Sequence, residues 1–283
     1  MEDILVFNLI IKKLRQFFQD EKGFIEVPAQ ARQSILAACE DPKTISQYIF
    51  SGINWPLPQT GQMWLEHELL NNSELEGVFC TTTSYRNEPS PIPGRHDKIF
   101  PMFEFESKGN MGDLKKIEAE LLEFLGFEIP KVVNYEDICK KYGAELLEAE
   151  HEEKMWKDFG NSISLEFFPQ RSHPFWNMKH NGNGMFSKVD VILFGMETIG
   201  SAERSTNAEE MRKNFHTISN GKYAELLFNH FGEKRVEDEL EIYLRLNMFS
   251  RFGGGIGITR MARAMRLAGL LGSEVLMPNV IRV

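Results

Sequence analysis

The sequence predicts an α+β fold, an antiparallel sheet flanked by helices. Two β-like runs, Gly77 to Tyr85 and Lys98 to Phe105, are separated by a proline-rich stretch, 89–94, which cannot pair in a ladder, so the runs predict a hairpin with a long loop. In the second half, helical patterns are grouped between strands rather than alternating with them. We therefore predict a largely antiparallel sheet in a single domain that spans residues 1–283.

The first predicted element is a helix of about 18 residues that begins near Ile4 and is stopped by Gly23. Its apolar residues fall on more than one face, so this surface must be buried on two sides. The run from Phe24 to Pro28 then alternates like a short strand, which the proline ends. The excess apolar surface of this unit favours a homodimer.

Helices dominate the middle of the chain. Asp113 is a plausible N-cap for a helix through Phe124 that Gly126 ends. The strongly charged segment from Tyr135 to Phe159 is predicted to be a helical surface insertion, near residues 135–160. The remaining predicted elements are strands at Ser162 to Phe168 and Val189 to Phe194, helices near Ala208 to Phe215, Lys222 to Phe231 and Val236 to Leu246, a glycine-rich strand, and a helix from Arg260 to Leu271.

Composition restricts the class of protein. Of the 283 residues, 42% are hydrophobic and 26% are charged, as in ordinary soluble proteins. No window approaches the apolar length of a membrane span, and the N-terminus has no basic signal region, so we expect a cytoplasmic protein without a membrane partner. Cys39, Cys80 and Cys139 lack the spacing of a zinc or disulfide framework. The net charge of −9 disfavours a nucleic-acid partner unless a local basic groove exists.

A first group of candidate functional residues lies around the hairpin loop: Arg86, Glu88, Arg95, His96 and Phe100. Two arginines can contact different oxygens of one polyphosphate, and an aromatic ring on the return strand can stack on a purine. A carboxylate between them can accept from an amine. This group is typical of a nucleotide site, although a solvated hairpin with a core phenylalanine would show the same residues.

A second group is the glycine-rich stretch at 252–260, which ends with Arg260 before a helix. Glycines in a strand let a ligand approach the backbone, or they allow tight sheet packing. The stretch matches neither a Walker P-loop nor a dinucleotide fingerprint. A third group is Asp190 and Glu197, two carboxylates on adjoining strands that could share one or two Mg²⁺ ions with substrate phosphates, or form only surface ion pairs.

Taken in order, these groups resemble the signature motifs of the class II aminoacyl-tRNA synthetases over nearly the whole chain. The opening helix, strand and Pro28 look like motif 1, the dimer-forming element of that family. Residues 85–106 look like motif 2, and residues 255–261 look like motif 3. The asparaginyl, aspartyl and lysyl subgroup is the most similar. Its markers here are Arg95-His96 followed by Phe100, Glu104-x-Glu106, Glu197-x-x-Gly200 and the segment Pro174 to Lys179.

The resemblance implies an antiparallel sheet that binds ATP and Mg²⁺. It implies that the catalytic residues are Arg86, on the α-phosphate, and Arg260, which would sandwich adenine with Phe100. It also implies ATP contacts for Glu88, Gly257 and, at the outer phosphates, Arg95 and His96. The metal would be held by Asp190 and Glu197.

Residues 59–66 are similar to the asparaginyl segment Ser-Gly-Gln-Leu-x-x-Glu, whereas aspartyl enzymes carry a lysine at the position of Leu65. Arg204 matches the arginine that reads the substrate side chain in both. A donor fork at Arg204 beside an acceptor at Glu66 suits a β-amide, or a β-carboxyl being converted to one. The resemblance places the α-amino group at Glu104 and Gln62, and Gly200 in the amino-acid site.

The sequence also departs from the family pattern. Thr259 replaces an acidic residue, Ile99 replaces a glutamate, and Ala202 and Glu203 interrupt the usual Gly-Ser-Gln-Arg. Because motif 1 begins at the first residues, we expect no N-terminal anticodon-binding domain in this chain. Two relatives of this description are asparagine synthetase A, which also has a small hydroxyl residue before its motif 3 arginine, and the archaeal asparagine synthetase derived from asparaginyl-tRNA synthetase.

These observations favour an ATP-dependent ligase that adenylates aspartate and transfers it to ammonia, giving asparagine, AMP and pyrophosphate. A tRNA partner is disfavoured because the chain is acidic. One alternative is a synthetase-like enzyme that transfers the amino acid to tRNA or to another amine. Another is a binding or regulatory paralogue that has lost turnover. The acyl acceptor, and the choice between aspartate, asparagine and an analogue, stay open from sequence alone.

Overall fold

The start of the chain folds back onto the predicted hairpin. In the computed structural model, which describes residues 4–28 and 33–272, helix α1 (Ile4–Arg15) continues into a π-helical turn (Gln16–Glu21). Gly23, at φ 68°, then reverses the chain into the short strand β1 (Ile25–Glu26). Strand β1 pairs in parallel with β4 (Gly77–Tyr85), so the predicted helix, turn and strand unit is confirmed.

One large sheet forms the centre of the fold. Its further strands are β5 (Ile99–Lys108), β6 (Lys131–Asn134), β7 (Ser162–Pro169), β8 (Met185–Leu193), β9 (Met196–Glu203) and β10 (Arg251–Gly257). The strand order is β1-β4-β5-β10-β9-β8-β7-β6. Neighbours pair antiparallel except at the two edges, β1 with β4 and β6 with β7. The predicted α+β class with a largely antiparallel sheet is confirmed. A separate hairpin joins β2 (Gln47–Phe50) to β3 (Ile53–Pro56).

Helices cover both faces of the sheet. They are α2 (Gln62–Asn71), α3 (Met111–Leu125), α4 (Tyr135–Tyr142), α5 (Ala149–Phe159), α6 (Ala208–Thr217), α7 (Lys222–Phe231), α8 (Glu233–Leu244) and α9 (Ile258–Leu267). Helices α1, α3 and α9 share one core with Phe79 of β4 and with Phe103 and Phe105 of β5. Since side chains alternate along a strand, Glu104 and Glu106 must point to the opposite face, where α2 packs.

Helix α3 begins differently from the prediction. Asn110, not Asp113, is the N-cap, and its side chain accepts a hydrogen bond from the amide of Gly112 at 2.7 Å. Asp113 lies three residues later and accepts from the amide of Asn110 at 2.9 Å, which completes a capping box. Either residue type can cap a helix, so the sequence alone selected the wrong member of the pair. The helix ends at Gly126, as predicted.

The charged segment at 135–159 forms two helices, α4 and α5, that pack against the β6 side of the sheet. The buried side chains of Ile138 and Met155 share a core with Ile163 and Leu165 of β7. Tyr135 accepts a hydrogen bond on its hydroxyl from the amide of Leu147, which ties the connecting loop to α4. No helix in residues 4–28 or 33–272 has both the length and the apolar character needed to cross a bilayer.

Candidate active site

A cavity of about 450 Å³ opens on the α2 face of the sheet. Eleven of the fourteen residues predicted to form the site line it: Gln62, Arg86, Glu88, Arg95, His96, Phe100, Glu104, Glu197, Gly200, Gly257 and Arg260. The other three, Glu66, Asp190 and Arg204, lie outside its wall. The hairpin loop, strands β5, β9 and β10, and the first turn of α9 thus converge on one space.

Arg86 follows strand β4 directly and closes the β4–β5 hairpin, since its amide donates to the carbonyl of Lys98 at 2.8 Å. Its guanidinium lies over the ring of Phe100, 5.9 Å from the centroid. The carboxylate of Glu40 forms an ion pair with the guanidinium and raises the pKa of Arg86 above its ordinary value. Its Nε is buried with no hydrogen-bond partner. Arg86 is therefore a charged group with an unused donor beside an aromatic face.

The rest of the hairpin loop is held by two side-chain contacts. His96 Nδ1 lies 3.1 Å from Glu88 Oε1. Arg95 Nη2 lies 2.5 Å from Glu152 Oε2 on α5, and its Nη1 donates to the carbonyl of Gly195 at 3.4 Å. The pKa of Glu152 is raised by burial, and the contact with Arg95 opposes this shift without cancelling it. The predicted phosphate-binding residues therefore line the cavity, with Arg95 fixed from behind by α5.

The two predicted metal ligands meet over Gly200. A Cβ atom at Gly200 would lie 2.9 Å from Glu197 Oε1 and 3.6 Å from Asp190 Oδ1, so glycine leaves room for both carboxylates. Asp190 Oδ2 accepts from Lys188 Nζ at 2.7 Å, whereas Asp190 Oδ1 is buried without a partner. The pKa of Asp190 is raised to about 7. Burial is the main cause and the nearby Glu197 adds to it, while Lys188 opposes the shift.

These carboxylates suit a Mg²⁺ ion that takes its other ligands from phosphates and water. The unpartnered Asp190 Oδ1 is the atom that such an ion would satisfy. Asp190 borders a second cavity of about 290 Å³, under α5, which shares Lys188 and Glu197 with the first. Within residues 4–28 and 33–272, no group of three or more His, Cys, Asp or Glu side chains could hold an ion without such outside ligands.

Arg260 lies beside Glu197, one of the two predicted metal ligands. It lies in the first turn of α9, and its Nη1 donates to the carbonyl of Glu197 at 2.9 Å and lies 3.9 Å from Glu197 Oε2. Thr259, the residue that departs from the family pattern, also lines the cavity. Because Phe100 lies on another wall of this cavity, a flat ring has an aromatic and a guanidinium partner within one space.

Glu104 supplies a fixed acceptor on the floor of the cavity. Its carboxylate accepts from the Thr60 hydroxyl at 2.5 Å, from the amide of Gly61 at 2.7 Å and from the hydroxyl of Thr82. Burial raises the pKa of Glu104, and these hydrogen bonds oppose that shift. A Cβ at Gly61 would lie 2.9 Å from Glu104 Oε2, so this turn requires glycine.

Arg204 and Glu66, predicted to contact the amino acid, lie in the layer beneath the cavity wall. Arg204 is 4% exposed, and its Nη2 lies 3.2 Å from Glu106 Oε2. The same nitrogen donates to Gln62 Oε1 at 2.5 Å. Gln62 lines the cavity and also donates to the carbonyl of Gly254 at 2.8 Å. The side chain that reaches the cavity is thus Gln62, and Arg204 orients it from the layer beneath.

Glu66 is fully buried, and its oxygens are already engaged. Arg251 Nη2 lies 2.7 Å from Glu66 Oε2, and the hydroxyl of Tyr243 donates to this oxygen at 2.5 Å. Asn177 donates to the other oxygen at 2.7 Å. Burial raises the pKa of Glu66, but Arg251 and Arg204 outweigh it and hold the pKa below the ordinary value. Glu66 is a structural anchor for the two arginines.

The glycine-rich strand β10 packs tightly at two of its glycines and places two others on the cavity wall. A Cβ at Gly253 would lie 1.8 Å from Glu106 Oε2, and one at Gly254 would lie 2.7 Å from the Cβ of Ser201, so these two glycines allow tight sheet packing. Gly255 and Gly257 instead line the cavity.

Sequence reasoning missed three residues of the site. Glu40 pairs with Arg86 across 46 residues, Glu152 with Arg95, and Lys188 with Asp190. Glu40 and Glu152 lie in loop and helix segments without a motif, and only the fold brings them to the hairpin. Lys188 could have been found, because it precedes Asp190 by two residues and strand side chains two apart share a face.

Comparisons with known proteins show the family and the fold. A family model described as tRNA synthetases class II (D, K and N) matches residues 2–269. The asparaginyl-tRNA synthetase of Pyrococcus horikoshii, complexed with asparaginyl-adenylate, superposes with a TM-score of 0.74 at 20% identity, over 92% of this chain and 64% of that one. The Entamoeba histolytica enzyme with asparaginyl-adenylate gives 0.72 at 19% identity, over 94% and 63%.

The aspartyl-tRNA synthetase of Entamoeba histolytica gives a TM-score of 0.68 at 17% identity, over 98% of this chain and 58% of that chain. The chain thus spans about three fifths of the length of these synthetases, and at such identities the likeness concerns the fold. No curated protein sequence matches the chain. With its family model matched over residues 2–269, the chain belongs to the class II tRNA synthetase family of the D, K and N type.

Proposed function

We propose that the protein is an ATP-dependent ligase that adenylates the β-carboxylate of aspartate and transfers the acyl group to ammonia. The observation that carries this proposal is the single cavity lined by Arg86, Arg260 and Glu104. Its volume of about 450 Å³ lies within the range of small-molecule sites. It offers cations for a polyphosphate, a ring and a guanidinium for adenine, and an acceptor for an α-ammonium group.

In the first step, an oxygen of the substrate carboxylate attacks the α-phosphorus, and the bond to the bridging oxygen breaks to release pyrophosphate. Arg86 donates to the α-phosphate oxygens as charge moves, while Phe100 and Arg260 hold the adenine in line. Mg²⁺ bound at Asp190 and Glu197 would supply neutralisation of the phosphate charge. Ammonia then attacks the carbonyl carbon of the mixed anhydride, AMP departs, and a proton is released to solvent.

The acceptor side of the proposal is supported by an adjoining cavity of about 300 Å³. It shares four residues with the nucleotide cavity, Glu40, Asp41, Arg86 and Lys188. The two carboxylates and two cations at this junction balance one another, so a small acceptor can enter without meeting an excess of either charge, and the net charge of −9 disfavours a polyanion.

A second candidate is activation of the α-carboxylate of asparagine, with transfer to tRNA or to another amine. Two similar synthetases were solved with asparaginyl-adenylate. Moreover, Arg204 is already paired with Glu106, so the cluster beneath Gln62 carries compensated charges and suits a neutral amide.

One assay separates these functions. The purified protein is incubated with ATP, Mg²⁺ and each amino acid, with and without ¹⁵N-ammonium and without RNA, and AMP and labelled asparagine are quantified. We expect aspartate and ammonium to give AMP and ¹⁵N-asparagine in equal amounts. AMP formation with asparagine, with label retained on added RNA or protein, would refute the ammonia ligase. ATP binding without pyrophosphate exchange would identify a paralogue without turnover.

The proposal includes a homodimer formed through α1 and β1. Helix α1 buries Ile10 and Leu14 in its own core, yet Ile4 stays 77% exposed and Ile25 of β1 stays 48% exposed. A second copy would cover such apolar side chains. Light scattering should give twice the mass of 32.6 kDa, and a monomer at micromolar concentration would contradict the dimer.

A further inference from the structure

Lys188 is held at the junction between the nucleotide cavity and the predicted metal ligands. It precedes Asp190 by two residues on β8, so both side chains lie on the same face of the strand. Its Nζ lies 2.7 Å from Asp190 Oδ2 and 3.8 Å from the ring centroid of Phe168. A carboxylate and an aromatic face therefore fix the ammonium in one position.

The ammonium also remains within reach of a ligand. Lys188 lines the nucleotide cavity together with Arg86 and Glu197, and it borders both adjoining cavities. Its side chain is 22% exposed, whereas that of Asp190 is 11% exposed. A phosphate group in the nucleotide cavity would thus meet a cation that the chain itself supplies.

The position of Lys188 lowers the affinity that Asp190 and Glu197 can offer to a divalent ion. One oxygen of Asp190 is already engaged by a positive charge, so an approaching cation finds Asp190 partly neutralised and faces repulsion from the ammonium. Mg²⁺ gives up its water reluctantly and needs strong anionic ligands. Without nucleotide, the site is therefore a poor one for divalent ions.

We propose that Lys188 is a built-in cation of the nucleotide site, one that competes with the divalent ion for Asp190 and supplies part of the positive charge that the triphosphate needs. This inference rests on the proposed function, because it requires ATP to bind in this cavity. It assigns Lys188 to phosphate binding, and it explains why a lysine stands beside a predicted metal ligand.

The test is calorimetric titration of ATP into the native protein, Lys188→Met and Lys188→Arg, each in Mg²⁺ and in EDTA. The native protein should keep measurable affinity in EDTA. Lys188→Met should lose about tenfold or more in EDTA and less in Mg²⁺, since one charged hydrogen bond to phosphate is removed. Lys188→Arg should behave like the native protein. Lys179→Met is the matched control, because Lys179 pairs with Glu203 at 2.7 Å and lies away from the cavity.

Equal losses for Lys188→Met in both conditions, or none, would overturn the inference. Failure of the native protein to bind ATP in either condition would instead refute the proposed nucleotide site. Mn²⁺ titration followed by electron paramagnetic resonance gives a reading that needs no nucleotide. The native protein should bind Mn²⁺ weakly, and Lys188→Met more tightly. Tight one-to-one binding of Mn²⁺ by the native protein would also overturn the inference about Lys188. This measurement does not depend on the folding of any variant.

Discussion

Arg204 and Glu106 form a buried ion pair directly beneath Gln62 of the cavity wall, with 3.2 Å between Nη2 and Oε2 and side chains 5% and 0% exposed. The pair belongs to a cluster in which Glu66 joins Arg204 to Arg251. Two arginines and two glutamates compensate one another, so the cluster positions Gln62 at the cavity wall without leaving an unpaired charge below it. Gln62 is thus the member of this group that reaches the cavity wall, and the buried charges hold its amide in place.

Replacing Arg86 with alanine should cost on the order of 2.7–4 kcal/mol of transition-state stabilisation, about 100- to 1,000-fold in rate. The physical reason is the loss of the donor aimed at the α-phosphate. Amino-acid-dependent exchange of pyrophosphate into ATP measures this step. Arg212→Ala, which removes a surface partner of Glu209 and Glu241, is the control and should keep full exchange. Unchanged exchange in Arg86→Ala would remove Arg86 from the mechanism.

Replacing Glu66 with glutamine should lower the free energy of unfolding by about 3–5 kcal/mol, because Arg251 is left buried without its counter-charge. Glu76→Gln is the matched control. That carboxylate is 76% exposed and 3.9 Å from Lys108, so its loss should change stability by about 0.5 kcal/mol at most. Urea unfolding measures both. Equal effects of the two substitutions would show that the buried cluster is not an anchor.

Glu118 makes stability depend on pH. Burial between α3 and the sheet raises the pKa of Glu118 to about 8, despite the hydrogen bond from Ser201 at 2.6 Å. The unfolded chain ionises this group from an ordinary pKa of about 4.5, so the folded state is penalised as pH rises from there to about 8. Glu118→Gln keeps an acceptor for Ser201 and removes this penalty.

Relative to the native protein, Glu118→Gln should therefore gain on the order of 1 kcal/mol or more between pH 5 and pH 9. Thermal unfolding of both proteins across this pH range measures the difference in stability. The pKa shifts of other titratable groups are common to both proteins and cancel in the comparison. A stability difference that stays flat with pH would show that Glu118 is ionised in the folded protein at neutral pH.

Gly253→Ala should destabilise the fold by about 1–3 kcal/mol or more, because the added methyl group would lie 1.8 Å from Glu106 Oε2 and 2.4 Å from the carbonyl of Phe105. Gly272→Ala is the control, since nothing lies within 4 Å of a Cβ there. Denaturant titration should separate the two variants clearly. A stable Gly253→Ala protein would mean that β5 and β10 can move apart at low cost.

Much of this architecture follows from local features of the sequence. Strands β4 and β5 are marked by alternation and by the prolines between them, and helix α3 by its capping residues and Gly126. The strand β6 has only four residues and was not predicted, because so short a run carries little periodicity. Elements whose signal spans a hairpin or a full helix were therefore predictable, and the short edge strand β1 was predictable from the glycine and proline that bound it, whereas β6 had no such signal.

The site shows a similar division. The motifs identified most of the residues that line the cavity, because family motifs mark the strands and loops that meet there. They did not separate residues that line the cavity from those one layer beneath, where Arg204 and Glu66 lie, because that difference depends on how the elements pack. Glu40 was missed because its pairing with Arg86 depends on the folded loop and on no local spacing.

A crystal structure of the protein with a non-hydrolysable aspartyl-adenylate analogue would show whether one cavity holds both nucleotide and amino acid. We expect one analogue in the cavity, with the adenine between Phe100 and Arg260, the phosphate at Arg86 and the amino group at Glu104. An analogue bound elsewhere, or one that contacts Arg86 while Arg260 points away to a separate region, would contradict this expectation.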